Sequence, residues 1–304
     1  MKTIFYKIIY WHPVNKLIRV TLIIVHYLRI TKLKIPPSGK ISVSLPEGKR
    51  VIIETNQTSY LTNVICWKGV FAFEYSRIFY DLIREMSVFI DIGANIGFYS
   101  LLAVKASENI KVYAIEPATG PFIFLQKNIE LNKENARVNS YKIALSDTIS
   151  SIDFYEHKNP KYRYLNYNLG GISSEVNTTQ SNNLIKTKVD STTLDYFAKN
   201  NLKEAVDLIK IDTEGTESRI LENACEILEK IRPIIICETL YNKIEFKLDF
   251  LMKNHDYLFF NYMDNRLVKV DTIIRDEDNG VRDCFFVPKE KEYLITKYLK
   301  REWA

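Results

Sequence analysis

Residues 88–99 read VFIDIGANIGFY, and this stretch decides the fold. Its first five residues form a short apolar run, which is typical of a strand buried on both faces. Gly93 then permits a tight turn, and Gly97 lets the backbone approach a ligand before a helix begins. A strand that turns through glycines into a helix is the first unit of an open parallel α/β sheet.

The same alternation continues along the chain. Further apolar runs, each predicted as a strand, lie at 112–116, 141–145, 206–211 and 234–237. Helical patterns lie at 120–132, 195–202, 214–230 and 243–254. This order predicts a doubly wound α/β sheet with right-handed crossovers. Near the end, the apolar runs 257–263 and 283–287 are joined by a polar loop and predict an antiparallel hairpin.

The N-terminal part of the chain carries different patterns. Pro36, Pro37 and Gly39 interrupt it, and the alternating stretches 40–45 and 50–54 then predict a hairpin. A helical pattern follows at 75–86. The predicted division is an accessory region at 1–85, a main domain at 86–290 and a C-terminal helical tail at 291–304.

Composition and charge limit the function. With 46% hydrophobic and 26% charged residues, the 304-residue chain is neither disordered nor built on disulfides. Its net charge is +5, but residues 1–40 hold eight basic residues and no acidic ones. Because the rest is slightly acidic, we expect no nucleic-acid partner. The four cysteines form no C-x-x-C pair, which argues against zinc and indicates a reducing, cytoplasmic compartment.

Residues 16–30 are apolar apart from four side chains that fall within roughly 140° of one helical face. These are Lys16, Arg19, His26 and Arg29. The stretch without them is too short for a transmembrane helix, and no small-residue cleavage site follows it. Two interpretations stay open. One is a helix packed on the main domain, and the other is a basic amphipathic helix on an anionic membrane surface, which would make residues 1–35 a peripheral contact with the inner membrane.

The glycine turn differs from a dinucleotide-binding turn. Such a site prefers G-x-G-x-x-G, whose amides face a pyrophosphate. Here Asn95 replaces the middle glycine, and Asp91 places a carboxylate at the strand end that would repel a diphosphate. The carboxylate suits a ligand with an ammonium group, such as S-adenosylmethionine. The predicted cofactor-binding residues of this turn are Asp91, Gly93, Ala94, Asn95 and Gly97.

Two later strand ends are expected to complete the cofactor site. Glu116 ends the second strand, precedes Pro117, and lies about 20 residues past the glycine turn, where a carboxylate can accept both ribose hydroxyls. Because NAD enzymes use the same device, Glu116 indicates adenosine rather than methyl transfer. After the third strand, Ser146 and Asp147 lie in a loop that can reach the adenine edge, with a plain turn as the alternative.

The stretch LIKIDTEGTE, which begins at position 208, places Lys210, Asp212 and Glu214 at the end of another strand. All three would face the same cleft, and charges at the end of an apolar central strand are costly unless they are paired or used. The structural alternative to a catalytic role is the pairing of Lys210 with Glu116 or Glu238.

These stretches together resemble the FkbM family of S-adenosylmethionine-dependent methyltransferases. The resemblance covers about residues 85–240 and rests on DIGANIG, AIEP, ALSD and KIDTEG in this order. It implies a Rossmann-like seven-stranded methyltransferase sheet whose last strand is antiparallel. It also implies O-methylation, often of sugar hydroxyls on glycans or natural products. Residues 1–85 carry none of the motif, so the resemblance implies no role for them.

In-line methyl transfer requires the enzyme to align an acceptor hydroxyl behind the activated methyl group. We expect Asp212 to be the general base, with Glu214 as second choice and Lys210 as an electrostatic partner. A divalent metal held by Asp212 with Glu214 or Asp195 is an alternative, but no metal is predicted because no histidine or tight carboxylate cluster demands one. The tyrosine-rich residues 154–171 are expected to form part of the acceptor site, or else to be a loop packed on the sheet.

Two other functions stay open. An NAD-dependent dehydrogenase is disfavoured by Asp91, Asn95 and the missing phosphate turn. A non-catalytic cofactor-binding subunit of a larger assembly is disfavoured by the intact Lys210, Asp212 and Glu214 set. The sequence therefore favours a methyltransferase with a small-molecule or glycan acceptor.

Overall fold

The computed structural model describes residues 2–171, 173–174 and 184–300. The helices are α1 (Lys2–Ile9), α2 (His12–Tyr27), α3 (Tyr60–Lys68), α4 (Ser76–Leu82), α5 (Phe98–Ala106), α6 (Thr119–Leu131), α7 (Leu194–Asn201), α8 (Glu217–Glu222) and α9 (Glu245–Asn254). The strands are β1 (Gly39–Ser44), β2 (Arg50–Thr55), β3 (Val88–Ile92), β4 (Lys111–Ile115), β5 (Val138–Tyr141), β6 (Ala144–Leu145), β7 (Ser150–His157), β8 (Ser173–Ser174), β9 (Leu184–Thr192), β10 (Leu208–Ile211), β11 (Ile234–Glu238), β12 (Tyr257–Met263), β13 (Arg266–Val270) and β14 (Asp283–Pro288).

The central sheet has the strand order β13-β12-β14-β11-β10-β3-β4-β5. The neighbouring strands from β11 to β5 are parallel, whereas β14 runs antiparallel to both β11 and β12. This arrangement confirms the doubly wound α/β class with an antiparallel last strand. The sheet has one strand more than the predicted seven, because Arg266–Val270 folds back on β12 as the edge strand β13.

One predicted strand is wrong. Residues 141–145 do not form a single element: β5 ends at Tyr141 beside β4, whereas Ala144–Leu145 leaves the central sheet and pairs with β9. This short strand belongs to a second sheet with the order β6-β9-β7-β8. The other parallel strands lie within two residues of their predicted positions.

The predicted helix at 214–230 is also divided. Helix α8 ends at Glu222, and a π-helical turn follows at Ile227–Ile231. The carboxylate of Asp195 accepts hydrogen bonds from the amides of Glu226 and Ile227 at 2.9 and 3.0 Å, so it caps the second segment separately. In the tail, 3₁₀ turns at Lys289–Leu294 and Thr296–Leu299 replace the predicted helix, and residues 301–304 lie outside the described part.

The predicted N-terminal hairpin is confirmed, and β1 pairs antiparallel with β2. Two asparagines hold the outer edge of the hairpin: Asn128 lies in α6, and Asn132 follows the last residue of that helix. The side-chain amide of Asn132 accepts a hydrogen bond from the backbone amide of Ile52 at 3.0 Å and donates one to the Ile52 carbonyl at 2.6 Å. That of Asn128 accepts one from the amide of Glu54 at 2.6 Å and donates one to the Glu54 carbonyl at 3.3 Å. The hydrophobic core runs from this hairpin into the main sheet. The domain boundary at residue 85 stays a prediction.

Helices α1 and α2 lie on the outside of this body. Helix α2 turns a polar face inward, since Asn15 and Arg19 are buried. No single helix within the described residues is long and apolar enough to cross a bilayer, although α1 and α2 together reach that length and hydropathy with a 72° bend between them.

Candidate functional site

A cleft opens at the carboxyl ends of β3, β4 and β10. It encloses about 730 Å³, counting the part open to solvent. The glycine turn after β3, the end of β4, strand β6 and the segment after β10 form its walls. The predicted site residues that line it are Gly93, Asn95, Glu116, Pro117, Asp212 and Glu214.

Glu116 is the most firmly held of these residues. Its side chain is 6% exposed, and its two carboxylate oxygens accept hydrogen bonds from the amides of Asn95 and Ala118, each at 2.8 Å. Burial raises the pKa of Glu116 to about 7. Each oxygen keeps a further lone pair, so the carboxylate is oriented and can accept two hydroxyl donors at once.

The glycines of the turn are required by packing. A Cβ on Gly93 would lie 1.9 Å from the carbonyl oxygen of Asp212, and one on Gly97 would lie 2.5 Å from Cδ1 of Leu125. Gly97 therefore allows α5 to pack closely on α6, which differs from the predicted reason, an approach of the backbone to a ligand. Both glycines also have positive φ, at 73° and 85°.

Asp91 and Lys210 lie behind the turn, and both are almost fully buried. Asp91 Oδ2 accepts hydrogen bonds from the amide and the hydroxyl of Ser100, at 3.1 and 2.6 Å. Lys210 Nζ lies 3.3 Å from Asp212 and 3.8 Å from Asp91. Burial raises the pKa of Asp91 even though Lys210 opposes it. Lys210 thus pairs with these two aspartates rather than with Glu116 or Glu238.

Ser146 and Asp147 are placed just outside the cleft wall, which Ala144 and Leu145 form instead. Asp147 accepts hydrogen bonds from Arg219 at 2.8 and 3.2 Å, and this pairing lowers the pKa of Asp147. Ser146 is fully buried. Ala94, Gly97 and Asp91 likewise support the wall from behind rather than line it.

The segment after β10 is organised by the carboxylate of Glu217, which lies in the first turn of α8. Glu217 Oε1 accepts hydrogen bonds from the amides of Thr213 and Gly215 at 2.7 and 3.2 Å. This fixes Glu214, which has a φ of 59° and lines the cleft. Burial and the nearby charge of Asp212 raise the pKa of Glu214 to about 7.

A second cavity adjoins the cleft at Asp212 and encloses about 920 Å³, counted in the same way. Its charged lining is mostly acidic: Glu74, Asp212, Glu238, Asp264, Arg282 and Asp283. We call it the acidic cavity. Desolvation and the charge of Asp212 raise the pKa of Glu74 to about 7, and desolvation with several neighbouring carboxylates raises the pKa of Glu238 to about 10. Asp212 is thus the residue that joins the two spaces.

Glu74 and Asp283 were not predicted as site residues. Each has a sequence feature that weakly indicates its position. Glu74 is a lone acid within the apolar run 70–75, and the hydroxyl of Tyr99 donates a hydrogen bond to it at 3.0 Å. Asp283 begins the antiparallel strand β14, so it lies at the same sheet edge as Glu238, the last residue of β11. An antiparallel strand brings its first residue to the edge where its parallel neighbours end.

The tyrosine-rich segment 154–171 contacts both the cleft and the N-terminal part of the chain. Phe154 and Gly171 line the cleft. Tyr162 is buried and its ring lies 5.4 Å from the rings of Tyr6 and Tyr10, while Tyr164 accepts a hydrogen bond from Gln57 at 2.8 Å. These tyrosines therefore pack against the N-terminal helices and the loop after β2, whereas the alternative interpretation expected a loop packed on the sheet.

The sheet is open and has this strand order, Glu116 places a carboxylate at the end of β4, and Lys210 and Asp212 place charges at the end of β10. Together these features define the Rossmann-like methyltransferase class. Residues 91–267 match the methyltransferase FkbM domain. Since that match covers more than half of the chain, the protein belongs to the FkbM methyltransferase family, and the resemblance inferred from the sequence is confirmed.

Two sequence relatives agree with this assignment. The chain is 27% identical over 179 residues to the 31-O-demethyl-FK506 methyltransferase FkbM of Streptomyces tacrolimicus, covering 50% of this chain and 68% of that protein. It is 26% identical over 192 residues to the methyltransferase sdnD of Sordaria araneosa, covering 54% and 73%. The structure of a methyltransferase FkbM from Methylobacillus flagellatus KT matches with a TM-score of 0.41 at 15% identity, covering 66% of this chain and 43% of that one.

Proposed function

We propose that this protein is an S-adenosylmethionine-dependent O-methyltransferase that acts on a hydroxyl of a sugar, glycan or natural product. The observation that carries the proposal is the position of Asp212, which lines both the cleft and the acidic cavity. A residue at that junction lies where a cofactor in one space and an acceptor in the other would meet. The carboxylates of the acidic cavity are hydrogen-bond acceptors, which suits an acceptor rich in hydroxyl groups.

The cleft fits the proposed cofactor. The orientation of the Glu116 carboxylate suits the two ribose hydroxyls, and beside it Oδ1 of Asn95 is buried without a hydrogen-bond partner among the residues that the structure describes. Apolar side chains for an adenine ring are present in the same wall: Ile92, Ile115, Leu145 and Phe154. When bound, S-adenosylmethionine supplies a methyl group that its sulfonium has already activated.

Asp212 is proposed as the general base for the acceptor hydroxyl. Its side chain is 39% exposed, so an incoming hydroxyl can reach it, and Lys210 Nζ lies 3.3 Å from its carboxylate. Glu214 is the second choice, because it lines the cleft and its raised pKa of about 7 suits a proton acceptor at neutral pH. No metal is part of this proposal.

The cofactor assignment is tested by calorimetric titration with S-adenosylmethionine, with NAD as the control ligand. We expect binding of S-adenosylmethionine alone, weakened by about 1.5–3 kcal/mol in Glu116→Ala, the scale of a lost charge-assisted hydrogen bond. Asp147→Ala is the matched control, since its carboxylate pairs with Arg219 outside the cleft and its loss should leave the affinity unchanged. Binding of NAD alone would overturn the proposal in favour of a dehydrogenase.

The base is tested by transfer of a labelled methyl group to a panel of sugars and hydroxylated small molecules. We expect Asp212→Asn to lower turnover by ~10²–10⁴-fold while calorimetry shows unchanged cofactor affinity. Glu214→Gln is the comparison, and a larger loss there would move the role of base to Glu214. Full turnover in both variants would make these carboxylates structural.

We also propose a cytoplasmic location. All four cysteines are free thiols, and two of them, Cys237 and Cys284, lie on paired strands with both side chains buried. Unbridged cysteines are typical of a reducing compartment.

A further inference from the structure

Helix α2 buries two polar side chains and exposes apolar ones. Its inward face carries Arg19, which is 8% exposed and donates a hydrogen bond to Asn15 at 3.0 Å. Its outward face carries Leu17, Ile24 and Tyr27, which are 67%, 56% and 86% exposed. A helix packed on a soluble domain ordinarily turns its apolar stripe toward the core.

The inward contacts fix this orientation. Oδ1 of Asn15 accepts a second hydrogen bond from the amide of Ser38 at 2.8 Å, and its Nδ2 donates one to the carbonyl of Pro36 at 3.2 Å. Further along, the indole of Trp67 donates to the carbonyl of Ile35 at 2.9 Å. Because these polar contacts hold the helix and the segment after it, α2 cannot roll its apolar face inward without breaking them.

The exposed apolar face extends over both helices and the segment after them. Twelve of the nineteen large hydrophobic side chains that are exposed in the described chain lie in this short N-terminal stretch. They are Ile4, Phe5, Ile8, Trp11, Leu17, Val20, Ile23, Ile24, Tyr27, Leu28, Ile30 and Leu33. We call these twelve residues the N-terminal apolar surface. Such a concentration of exposed apolar side chains in one short segment indicates an interaction site.

The charges around this surface select its partner. Six basic side chains beside it are exposed: Lys2, Lys7, Lys16, Arg29, Lys32 and Lys34. The first acidic residue of the chain is Glu47, so the whole segment before it is purely basic. Apolar side chains that insert and basic side chains that attract anions are the combination that binds an anionic bilayer, and Trp11 and Tyr27 are residue types favoured at its interface.

We propose that the N-terminal apolar surface docks the protein onto the surface of an anionic lipid membrane, with α1 and α2 lying in the interface. This goes beyond the proposed methyl transfer and does not depend on it. The docked protein would hold its cleft at a fixed orientation, because Tyr6 and Tyr10 pack on Tyr162, in the same segment whose Phe154 and Gly171 line the cleft.

The test uses the full chain and sedimentation with lipid vesicles. We expect binding to vesicles that mix phosphatidylglycerol with phosphatidylcholine, no binding to phosphatidylcholine alone, and release by salt. The fluorescence of Trp11, which is 63% exposed in the free protein, should shift to shorter wavelength on binding. The Trp11→Phe variant should still bind but lose that part of the shift.

Two pairs of variants separate the contributions. Lys7→Glu with Lys16→Glu should weaken vesicle binding by roughly a hundredfold, since both charges are reversed near the lipid. Phe5→Ser with Ile24→Ser should abolish it. The matched control is Phe246→Ser with Phe250→Ser, which removes two phenylalanines of α9 that are 66% and 71% exposed on the main domain and should leave binding unchanged.

The other outcomes overturn the proposal. Equal binding to neutral vesicles would remove the role of the basic side chains, and no binding to either vesicle would remove the membrane. A dimer in sedimentation velocity that Phe5→Ser with Ile24→Ser disperses, without vesicle binding by the wild type, would assign the surface to a second copy of this chain. Calorimetry with S-adenosylmethionine provides an independent readout of the cleft in each variant.

Discussion

The cleft and the N-terminal helices both depart from the usual distribution, in which charged side chains are exposed and apolar ones are buried. The cleft buries charged side chains, whereas the helices expose apolar ones. At the carboxyl end of the sheet, Asp91 and Lys210 are charged residues with exposures of 0% and 3%. In α2, Leu17 is an apolar residue with an exposure of 67%. Charged residues are rarely buried unless they are paired, and large contiguous apolar surfaces are rarely exposed unless they bind something.

The two regions differ in whether the chain itself supplies partners for the unusually placed side chains. Each buried charge of the cleft has partners within the chain: Asp91 has Ser100 and Lys210, and Glu116 has two backbone amides. The outward side chains of α2 face away from the body of the protein. A buried charge is therefore explained by the fold itself, whereas for the exposed apolar surface we propose a partner outside the chain.

The largest expected effect comes from Gly93→Ala, which tests how rigid the cleft is. The new Cβ would lie 1.9 Å from the carbonyl oxygen of Asp212, so β3 and β10 would have to separate. We expect the free energy of unfolding to fall by more than about 4 kcal/mol, or folding to fail. Urea denaturation followed by circular dichroism measures this.

Gly48→Ala is the matched control, because Gly48 has a similar φ of 69° but nothing within 4 Å of its Cβ position. It should cost only the left-handed backbone strain, about 1–2 kcal/mol. Equal losses in the two variants would show that the close approach at Gly93 has no energetic weight.

The second effect concerns the buried charges. Lys210→Met leaves Asp91 buried with only Ser100 as a partner, so we expect a loss of about 3 kcal/mol at pH 7. Burial raises the pKa of Asp91, so its carboxyl group takes up a proton more readily as the pH falls, and part of the loss should return between pH 7 and pH 5. Urea midpoints at both pH values measure this.

The exposed pair Lys230 and Glu226 on the surface provides the comparison. Lys230→Met should leave the urea midpoint unchanged at both pH values. If Lys210→Met is equally silent, the buried pairing contributes nothing to stability and the contrast between the two regions is lost.

The third effect is a gain. The pKa of Glu238 is raised to about 10 in the folded protein, above its value of about 4.5 in the unfolded chain. Between these values the folded state holds a proton that the unfolded state has lost, so Glu238 lowers stability as the pH rises. Glu238→Gln removes this slope, so it should raise the free energy of unfolding at pH 8 and change it little at pH 4.5.

Glu47→Gln is the control of opposite sign, since Arg84 and Lys49 lower the pKa of Glu47 at the surface. It should lose rather than gain stability at pH 8. Chemical denaturation across the pH range measures both variants, and a gain in Glu238→Gln that does not vary with pH would contradict the titration of Glu238.

The smallest effect is expected in α2. Because Ile24 is 56% exposed, Ile24→Ser should change the free energy of unfolding by less than about 0.5 kcal/mol. Arg19→Ala should cost about 1 kcal/mol, since it removes a buried hydrogen bond to Asn15. Thermal denaturation of both variants measures this, and a larger loss in Ile24→Ser would mean that the apolar face packs on the protein.

The sequence predicted the parts of the fold that local patterns determine. Buried parallel strands are predominantly apolar, so β3, β4, β10 and β11 could be located from their apolar runs. The strand β13 was missed because Arg266 and Lys269 interrupt its apolar residues, which gives a weak signal.

The candidate site was predictable only in part, for a similar reason. The cleft residues Gly93, Glu116 and Asp212 each follow a strand, so their place at the sheet edge follows from the strand order. Glu74 comes from a loop before α4, and only tertiary packing brings it beside Asp212. The outward direction of the apolar face of α2 was unpredictable as well. Helical periodicity shows which residues share a face, but not which face packs on the core.

The two asparagines that hold the hairpin have a consequence for how the protein behaves at high concentration. Strand β2 has one free edge, and an unpaired edge strand is a template on which another chain can add by backbone pairing. Asn128 and Asn132 occupy the outward amide and carbonyl groups of Glu54 and Ile52, as a neighbouring strand would. These side chains close the edge to strand addition, so they protect the hairpin against aggregation as well as anchor it.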